Sequence, residues 1–258
     1  MRFLWRAGDA NSQRVRWSRL RSDYNHSHDG GVGLRRLRAP VADLFIIYAT
    51  LDPRLGAAGI CAFIVEKGSG GLTVGKKKDK LGLRTALIAE LLLEECRLPA
   101  TALLGREGRG VEVFNCFMAW ERVCILATCL GTIRRQLERC IDHVRKREQF
   151  GQPIGKFQSV ANRIVDIKLR YETARLLTYD VGWLMQESKS TDMDPAIAKL
   201  YVSESFVKSC LEAIQVHGGA GFLTELQLER EMRDSVGSTL YSGTSEIQRN
   251  IIARGLRI

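Results

Sequence analysis

Apolar and polar positions follow one rhythm before about residue 104 and another after it. From Ala42 onward, short β-branched and aromatic runs alternate with turn residues. Residues 44–50 end at Asp52-Pro53, residues 59–65 end at Gly68-Ser-Gly-Gly71, and residues 72–74 and 86–95 follow with turns at Gly75 and Gly82. Such spacing predicts an antiparallel sheet or part of a barrel. Four strands or so cannot close on themselves, so their edges need a partner. From about Arg106, apolar residues recur at three and four: Val111, Phe114, Phe117, Met118, Val123, Leu126 and Leu130, in a helix ending near Arg147. Val160, Ile164, Ile167 and Leu169 open a second helix that runs on through Leu176 and Trp183. A third, capped by Asp192 or Asp194 with Pro195 in its first turn, runs to about His217 and is broken by Gly218, Gly219 and Gly221. A last helix starts near Ser242 or Thr244, with Thr244 or Ser245 as its cap. The predicted class is α+β: a partial antiparallel β-domain over residues 41–104, then an up-and-down four-helix bundle over 105–258.

Composition narrows the function classes. With 45% hydrophobic and 26% charged residues, the 258-residue chain has the balance of a soluble globular protein. Its unbroken apolar runs fall far short of the ~20 residues that span a bilayer, so no membrane partner is expected. Seven cysteines include no CxxC pair, which argues against a disulfide scaffold or a metal site and for a reducing, cytoplasmic compartment. The net charge of +10 is concentrated in residues 1–40, where nine arginines face three aspartates. The remainder holds 30 basic and 26 acidic groups, too even for a nucleic-acid footprint.

Residues 1–40 show no sustained periodicity and use Arg to the exclusion of Lys. A targeting presequence and a flexible basic tail for an anionic partner are two readings. The favoured third is an unusual start of a shortened coding region, an out-of-frame reading included. Each predicts a poorly ordered leader.

Glu121 is the leading candidate for chemistry. Its helical neighbours Phe117, Met118, Trp120, Val123 and Cys124 are apolar, and a carboxylate kept from water becomes a usable base near neutral pH. An ion pair with Arg122 of a neighbouring segment or with Arg170 is the bland alternative. Residues 147–153 put a guanidinium and backbone amides between two helices, which suits a diphosphate as well as it suits an ordinary basic turn. Residues 215–221 are Gly-rich but follow a helix, so neither a P-loop nor a Rossmann turn fits. Bare backbone there could approach a ligand, or simply end the helix. His217 reads as core packing, and no GxSxG or HExxH pattern occurs.

Six ordered stretches resemble the acyl-CoA dehydrogenase family over roughly residues 40–258. They are Phe63-Ile-Val-Glu-Lys-Gly68, Asp79-Lys-Leu-Gly-Leu-Arg84, Arg145 to Ile154 with Phe157-Gln158, Gln215 to Gly221, Arg233-Asp234, and Tyr241-Ser-Gly-Thr-Ser-Glu-Ile-Gln-Arg249. The resemblance implies FAD-dependent α,β-dehydrogenation of an acyl thioester, with a carboxylate removing the α-proton while the β-hydride moves to flavin. It implies that Arg147, Phe150 and Gln158 line the FAD site of a neighbouring subunit. Gln215, Gly218 and Gly219 would lie near the adenine diphosphate, with Thr244 and Glu246 also at the cofactor. Many members carry the catalytic glutamate where this chain has Ser242; a minority carry it on the first bundle helix before an Arg, as Glu121-Arg122 does here. Glu121 is therefore the implied base, with Arg122, Tyr241, Ser242 and Gly243 about the substrate. The implied partners are acyl-CoA or an acyl carrier protein, an electron-transferring flavoprotein, and further copies of the chain as dimer or tetramer. The 120–122 and 241–244 contexts also resemble dehydrogenases of carrier-tethered acyl or aminoacyl groups. The family's N-terminal helical domain has no counterpart in this sequence, so a non-catalytic helical oligomerisation module is the alternative reading.

Overall fold

In a computed structural model, residues 15–16 and 39–258 are described, and the expectation for the leader lies otherwise outside them. Two compact units emerge. One comprises the described residues up to Lys80 together with Arg84–Phe117; the other comprises Leu81–Leu83 and Met118–Ile258.

The first unit is built on antiparallel pairing. Its strands are β1 (Val15–Arg16), β2 (Leu44–Thr50), β3 (Ile60–Glu66), β4 (Leu72–Val74), β5 (Leu91–Leu93), β6 (Arg97–Leu98) and β7 (Leu103–Leu104). β2 and β3 pair along their whole length, from Leu44 opposite Glu66 to Thr50 opposite Ile60, and β7 joins the free side of β3. β4 pairs with β5, and β1 with β6. Alternation along β2 buries Phe45, Ile47 and Ala49 while Leu44 and Ile46 face outward. The buried set packs with Phe63, Val65, Leu91, Leu93 and Leu98. The run predicted over 86–95 is a strand for three residues, with a single bridge from Ile88 to Lys78 before it. Glu95 takes a positive φ of 49° just beyond β5.

The second unit is helical. Helix α1 (Gly110–Lys146) continues into it from the first unit and is followed by a two-residue hairpin, β8 (Glu148–Gln149) with β9 (Gln152–Pro153). Then come α2 (Gln158–Gln186), α3 (Met193–His217), one turn α4 (Gly219–Phe222), α5 (Leu228–Ser238) and α6 (Ser245–Gly255). The α+β class and the bundle stand as expected. Asp194 accepts from the Thr191 backbone N–H at 2.7 Å, tightening the entry to α3, while Asp192 at the cap position makes no side-chain cap bond. Thr244 is the cap of α6, accepting from the Ile247 N–H.

Helix α5 was not foreseen. It buries Leu228, Glu231, Ser235 and Ser238 at helical spacing, so its inner face is mostly polar, and Leu228, Met232 and Val236 give only a short apolar row at a spacing of four. Glu231 is compensated by Arg135 at 2.7 Å and by the Gln136 amide at 2.8 Å. By length and composition alone, α1 is long and apolar enough to cross a membrane. Scattered polar residues such as Asn115 and Glu121 break its apolar runs, so a search for unbroken runs passes over it.

Two of the sequence motifs meet on α5. The Arg233 guanidinium donates to the Leu81 carbonyl at 3.1 Å, and the Leu83 N–H donates to the Asp234 carboxylate. Between them Gly82 lies so close that an added Cβ would stand 2.3 Å from the Arg233 carbonyl oxygen. Gly82→Ala should therefore lower urea-unfolding stability by about 1–3 kcal/mol. Gly131→Ala, on an exposed part of α1 where a Cβ meets nothing within 4 Å, should raise it by about 0.5–1 kcal/mol.

Candidate functional site

The residues singled out from the sequence fall into two groups within the helical unit. The first gathers where the loop between α5 and α6 crosses α1. Glu121 is half-buried, and its Oε1 accepts a hydrogen bond from the Ser242 hydroxyl at 2.8 Å. Of the apolar neighbours expected to keep it dry, Met118 is buried, whereas Phe117 and Trp120 are about half exposed. The carboxylate is thus held by a hydroxyl from across the bundle. Arg170, offered as an alternative ion-pair partner, lies 4.0 Å from Asp166.

The loop itself is held from several sides. Ser242 and Gly243 both have positive φ, 57° and 94°. The Ser242 carbonyl accepts from Arg122 Nε at 3.3 Å and from Gln248 Nε2 at 3.1 Å, and the same amide reaches the Gly243 carbonyl at 3.0 Å. A Cβ on Gly243 would meet Gln248 Nε2 at 2.6 Å, so glycine is required there by space as well as by φ. Tyr241 turns inward, its hydroxyl 3.7 Å from Cys129 Sγ, and burial pushes its proton affinity up. Glu246 sits exposed in the first turn of α6, where its own backbone N–H and the Thr244 side chain hold its carboxyl below the ordinary range.

The second group lies at the far end of α1. From Glu121 to Lys146 the helix climbs roughly 38 Å at about 1.5 Å per residue. There the β8–β9 hairpin carries Arg147 and Phe150, both exposed, and Phe150 meets Phe157 edge-on with ring centroids 6.1 Å apart. Gln158 opens α2 beside it and is also exposed. His143 of α1 stacks on His217 of α3 at 4.3 Å, which brings the end of α3, with Gln215, Gly218 and Gly219, to the same end of the bundle. His217 is buried, and its Nδ1–H donates to the Ala213 carbonyl at 2.8 Å. Burial lowers the proton affinity of both imidazoles.

This end suits a dinucleotide. Phe150 is 92% exposed at a φ of 54°, an aromatic face held out on a hairpin. Gly218 and Gly219 have nothing within 4 Å of an added Cβ, so their backbone is bare to an approaching diphosphate. The structure thus assembles Glu121, Arg122, Tyr241, Ser242, Gly243, Thr244 and Glu246 at one place, and Arg147, Phe150, Gln158, Gln215, Gly218 and Gly219 at another. A cavity of about 420 Å³ belongs to neither; its Arg135, Arg139 and Arg230 are already engaged by Glu231, the Leu226 carbonyl and Gln227.

Sequence reasoning missed Gln248 and Lys199. Gln248 lies inside a quoted motif but carries no signal of its own. Lys199 is one of two lysines on α3 and, unlike the exposed Lys208, is fully buried, with no hydrogen-bond partner for Nζ among the described residues. All seven cysteines are free thiols; Cys116 and Cys124 are exposed and the other five buried. Burial pushes Cys140 and Cys210 up to about 12.

Residues 108–257 match the family described as acyl-CoA dehydrogenase, C-terminal domain. The chain is 44% identical to an L-prolyl-(peptidyl-carrier protein) dehydrogenase of Pseudomonas fluorescens, over 85% of this chain and 58% of that protein. Among solved structures it is similar to the prolyl acyl carrier protein oxidase AnaB, at 48% identity and a TM-score of 0.86, covering 88% of this chain and 61% of that one. The FAD complex of PigA follows at 40% identity and a TM-score of 0.85, covering 88% and 59%. The chain thus spans a little over half the length of the curated relatives it matches.

Burial, aided by repulsion from Arg122, brings Lys199 down to about 8, against the opposing pull of Cys129, Glu204 and Glu246. Between pH 8 and the ordinary lysine value of 10.5, the unfolded chain holds a proton that the folded chain has released, so this residue's contribution to stability rises with pH. Below pH 8 both states are charged and the full penalty, at most about 3 kcal/mol, remains. Lys199→Met should accordingly raise unfolding free energy at pH 7 by about 1–3 kcal/mol, an advantage that shrinks toward pH 10.5 in urea titrations. A less stable Met variant at pH 7 would show that the ammonium has a partner.

Proposed function

The chain belongs to the acyl-CoA dehydrogenase family, and we propose that it oxidises a thioester-bound acyl group at its α and β carbons, with Glu121 as the base. The observation that carries this reading is the 2.8 Å bond from Ser242 to Glu121. Position 242 is where the family resemblance implies that many members carry their glutamate. A serine there leaves that carboxylate missing, and the side chain it meets is a carboxylate that could replace it.

The step asked of this chain is proton transfer. The α C–H bond breaks, Glu121 takes the proton, and the electron pair left on carbon forms the new C=C bond as the β-hydrogen departs. Bound FAD supplies the two-electron acceptor for that hydrogen. Arg122, Tyr241 and Gly243 would flank the acyl group. Arg147, Phe150 and Gln158 would hold FAD belonging to a neighbouring copy, since they stand a helix length from Glu121. Gln215, Gly218 and Gly219 would take the diphosphate end, and Thr244 and Glu246 would complete the cofactor's surroundings. Of the two thioester classes, we favour a prolyl group on a carrier protein over acyl-CoA, because similar proteins are named for that substrate. Electrons would pass onward to an electron-transferring flavoprotein in a reducing compartment.

Assembly follows from the same reading. Val165, Leu169, Leu176, Tyr179 and Trp183 form an exposed stripe along α2, each more than half accessible, which we assign to contact with a second copy.

Two measurements test these points. Purified protein should be yellow, with a flavin spectrum bleached by a prolyl-carrier thioester; Glu121→Gln should keep the colour and slow bleaching by about 10²-fold or more. Full turnover in that variant would remove Glu121 as base, and a colourless chain that takes up no added FAD would leave a helical assembly module. Leu169→Glu with Leu176→Glu should give a monomer by light scattering and lose flavin with it.

A further inference from the structure

We propose that Ser242 is a positioning residue for Glu121, its hydroxyl fixing one carboxylate oxygen and favouring the charged, proton-accepting form. The geometry of the pair does not depend on the proposed function; its consequence for turnover does.

A surface serine beside a carboxylate would carry no such weight. Ser242 is 5% exposed, so its hydroxyl has little water to turn to, and the bond to Glu121 Oε1 joins residues 121 positions apart in the chain. Its backbone sits at φ 57°, where a side chain other than glycine is disfavoured. Glycine at 242 would relieve that strain but leave no hydroxyl. The left-handed turn is held by groups on both flanking helices, Arg122 Nε from α1 and Gln248 Nε2 from α6, both on the Ser242 carbonyl. With the carbonyl gripped and the next residue a glycine at φ 94°, the side chain is aimed at α1.

The chemical effect follows from the donor. A hydroxyl donating to a carboxylate stabilises the anion and lowers its proton affinity. The group therefore trades some basicity for a fixed orientation and for being ionised when substrate arrives. Other charges stand about the same loop: Arg122 on α1, Lys199 facing Arg122 from α3, and Glu246 on α6. Glycine at 242 keeps the carbonyl that Arg122 holds, and burial brings Lys199 down only to about 8, above the range of an ordinary carboxyl.

The test uses Ser242→Gly, which removes the hydroxyl and suits the backbone conformation, so that folding is preserved. The full chain is labelled at the glutamate side-chain carboxyl carbon, and the Glu121 signal is assigned by its loss in Glu121→Gln. Titration by NMR should place the Glu121 midpoint about one pH unit higher in Ser242→Gly than in the parent. In the flavin-loaded enzyme, the acidic limb of the kcat/KM profile should move up by the same amount. The kcat on the plateau should fall by roughly tenfold, with KM little changed, as expected for lost orientation. A Glu121 midpoint within about 0.3 unit of the parent overturns the proposal, because a donor to the anion must move it. The two readings fail separately. If the midpoint moves but Glu121→Gln keeps full turnover, the pairing stands and the base assignment falls. If the midpoint stays while Glu121→Gln is inactive, the base stands and the positioning role falls.

Discussion

Helix α3 sets the terms on which the helical unit packs. It presents Ala196, Ala198, Ser203, Ser205, Ser209, Cys210 and Ala213 to its neighbours, all buried. Small side chains on several faces let α2, α5 and α6 come close to one central helix. Close approach also exposes backbone groups to side chains of the neighbours. Ser238 of α5 donates to the Ser203 carbonyl at 3.3 Å, and Cys210 lies 3.6 Å from the Glu231 carbonyl. The interior is therefore partly polar, and its order depends on satisfying those groups as much as on apolar burial. A larger residue on this helix would disturb several interfaces together.

The same packing fixes the loop that follows α5. Because α5 and α6 both lie on α3, the short segment between them has little freedom. Residues 241–244 spend it on two consecutive positive φ values and on carbonyls that point back to Arg122 and Gln248. The loop is a rigid part of the bundle, and what it offers to Glu121 is fixed in direction. The other group of candidate residues is of a different kind: Arg147, Phe150, Gln158, Gly218 and Gly219 are all exposed. Residues that hold a ligand within one chain are usually partly enclosed by it. Residues so open at the end of a bundle are suited to meeting something brought by a neighbour.

Much of this was legible in the sequence, for reasons that differ by element. Strands β2 and β3 are half-buried and rich in Val, Ile and Phe, so both composition and alternation announce them. The long helices carry apolar stripes, and Thr244 marks the start of α6 by its own chemistry. Helix α5 was passed over because it buries glutamate and serine beside an apolar row of only three residues, Leu228, Met232 and Val236. The role of Gly82 was half legible: turn character was evident, but its close approach to Arg233 depends on a contact across 151 residues. At the candidate site, the sequence singled out Glu121 and Ser242 separately, the first for its apolar neighbours and the second for departing from a pattern. That one donates to the other required the fold, because helical periodicity says nothing about which loop crosses a given turn. Lys199 was invisible for a related reason: nothing in a sequence announces a buried ammonium until its surroundings are known.

The contrast among the thiols gives this chain a built-in means of observation. Five are enclosed, two of them with proton affinities raised to about 12, and so poor nucleophiles at neutral pH. Cys124 is open to solvent and stands three residues after Glu121, less than one helical turn away. A small fluorescent maleimide would thus choose the exposed pair without any mutation of the interior. With Cys116 replaced by serine, the dye would sit beside the carboxylate and act as a local reporter of whatever molecule comes to rest there.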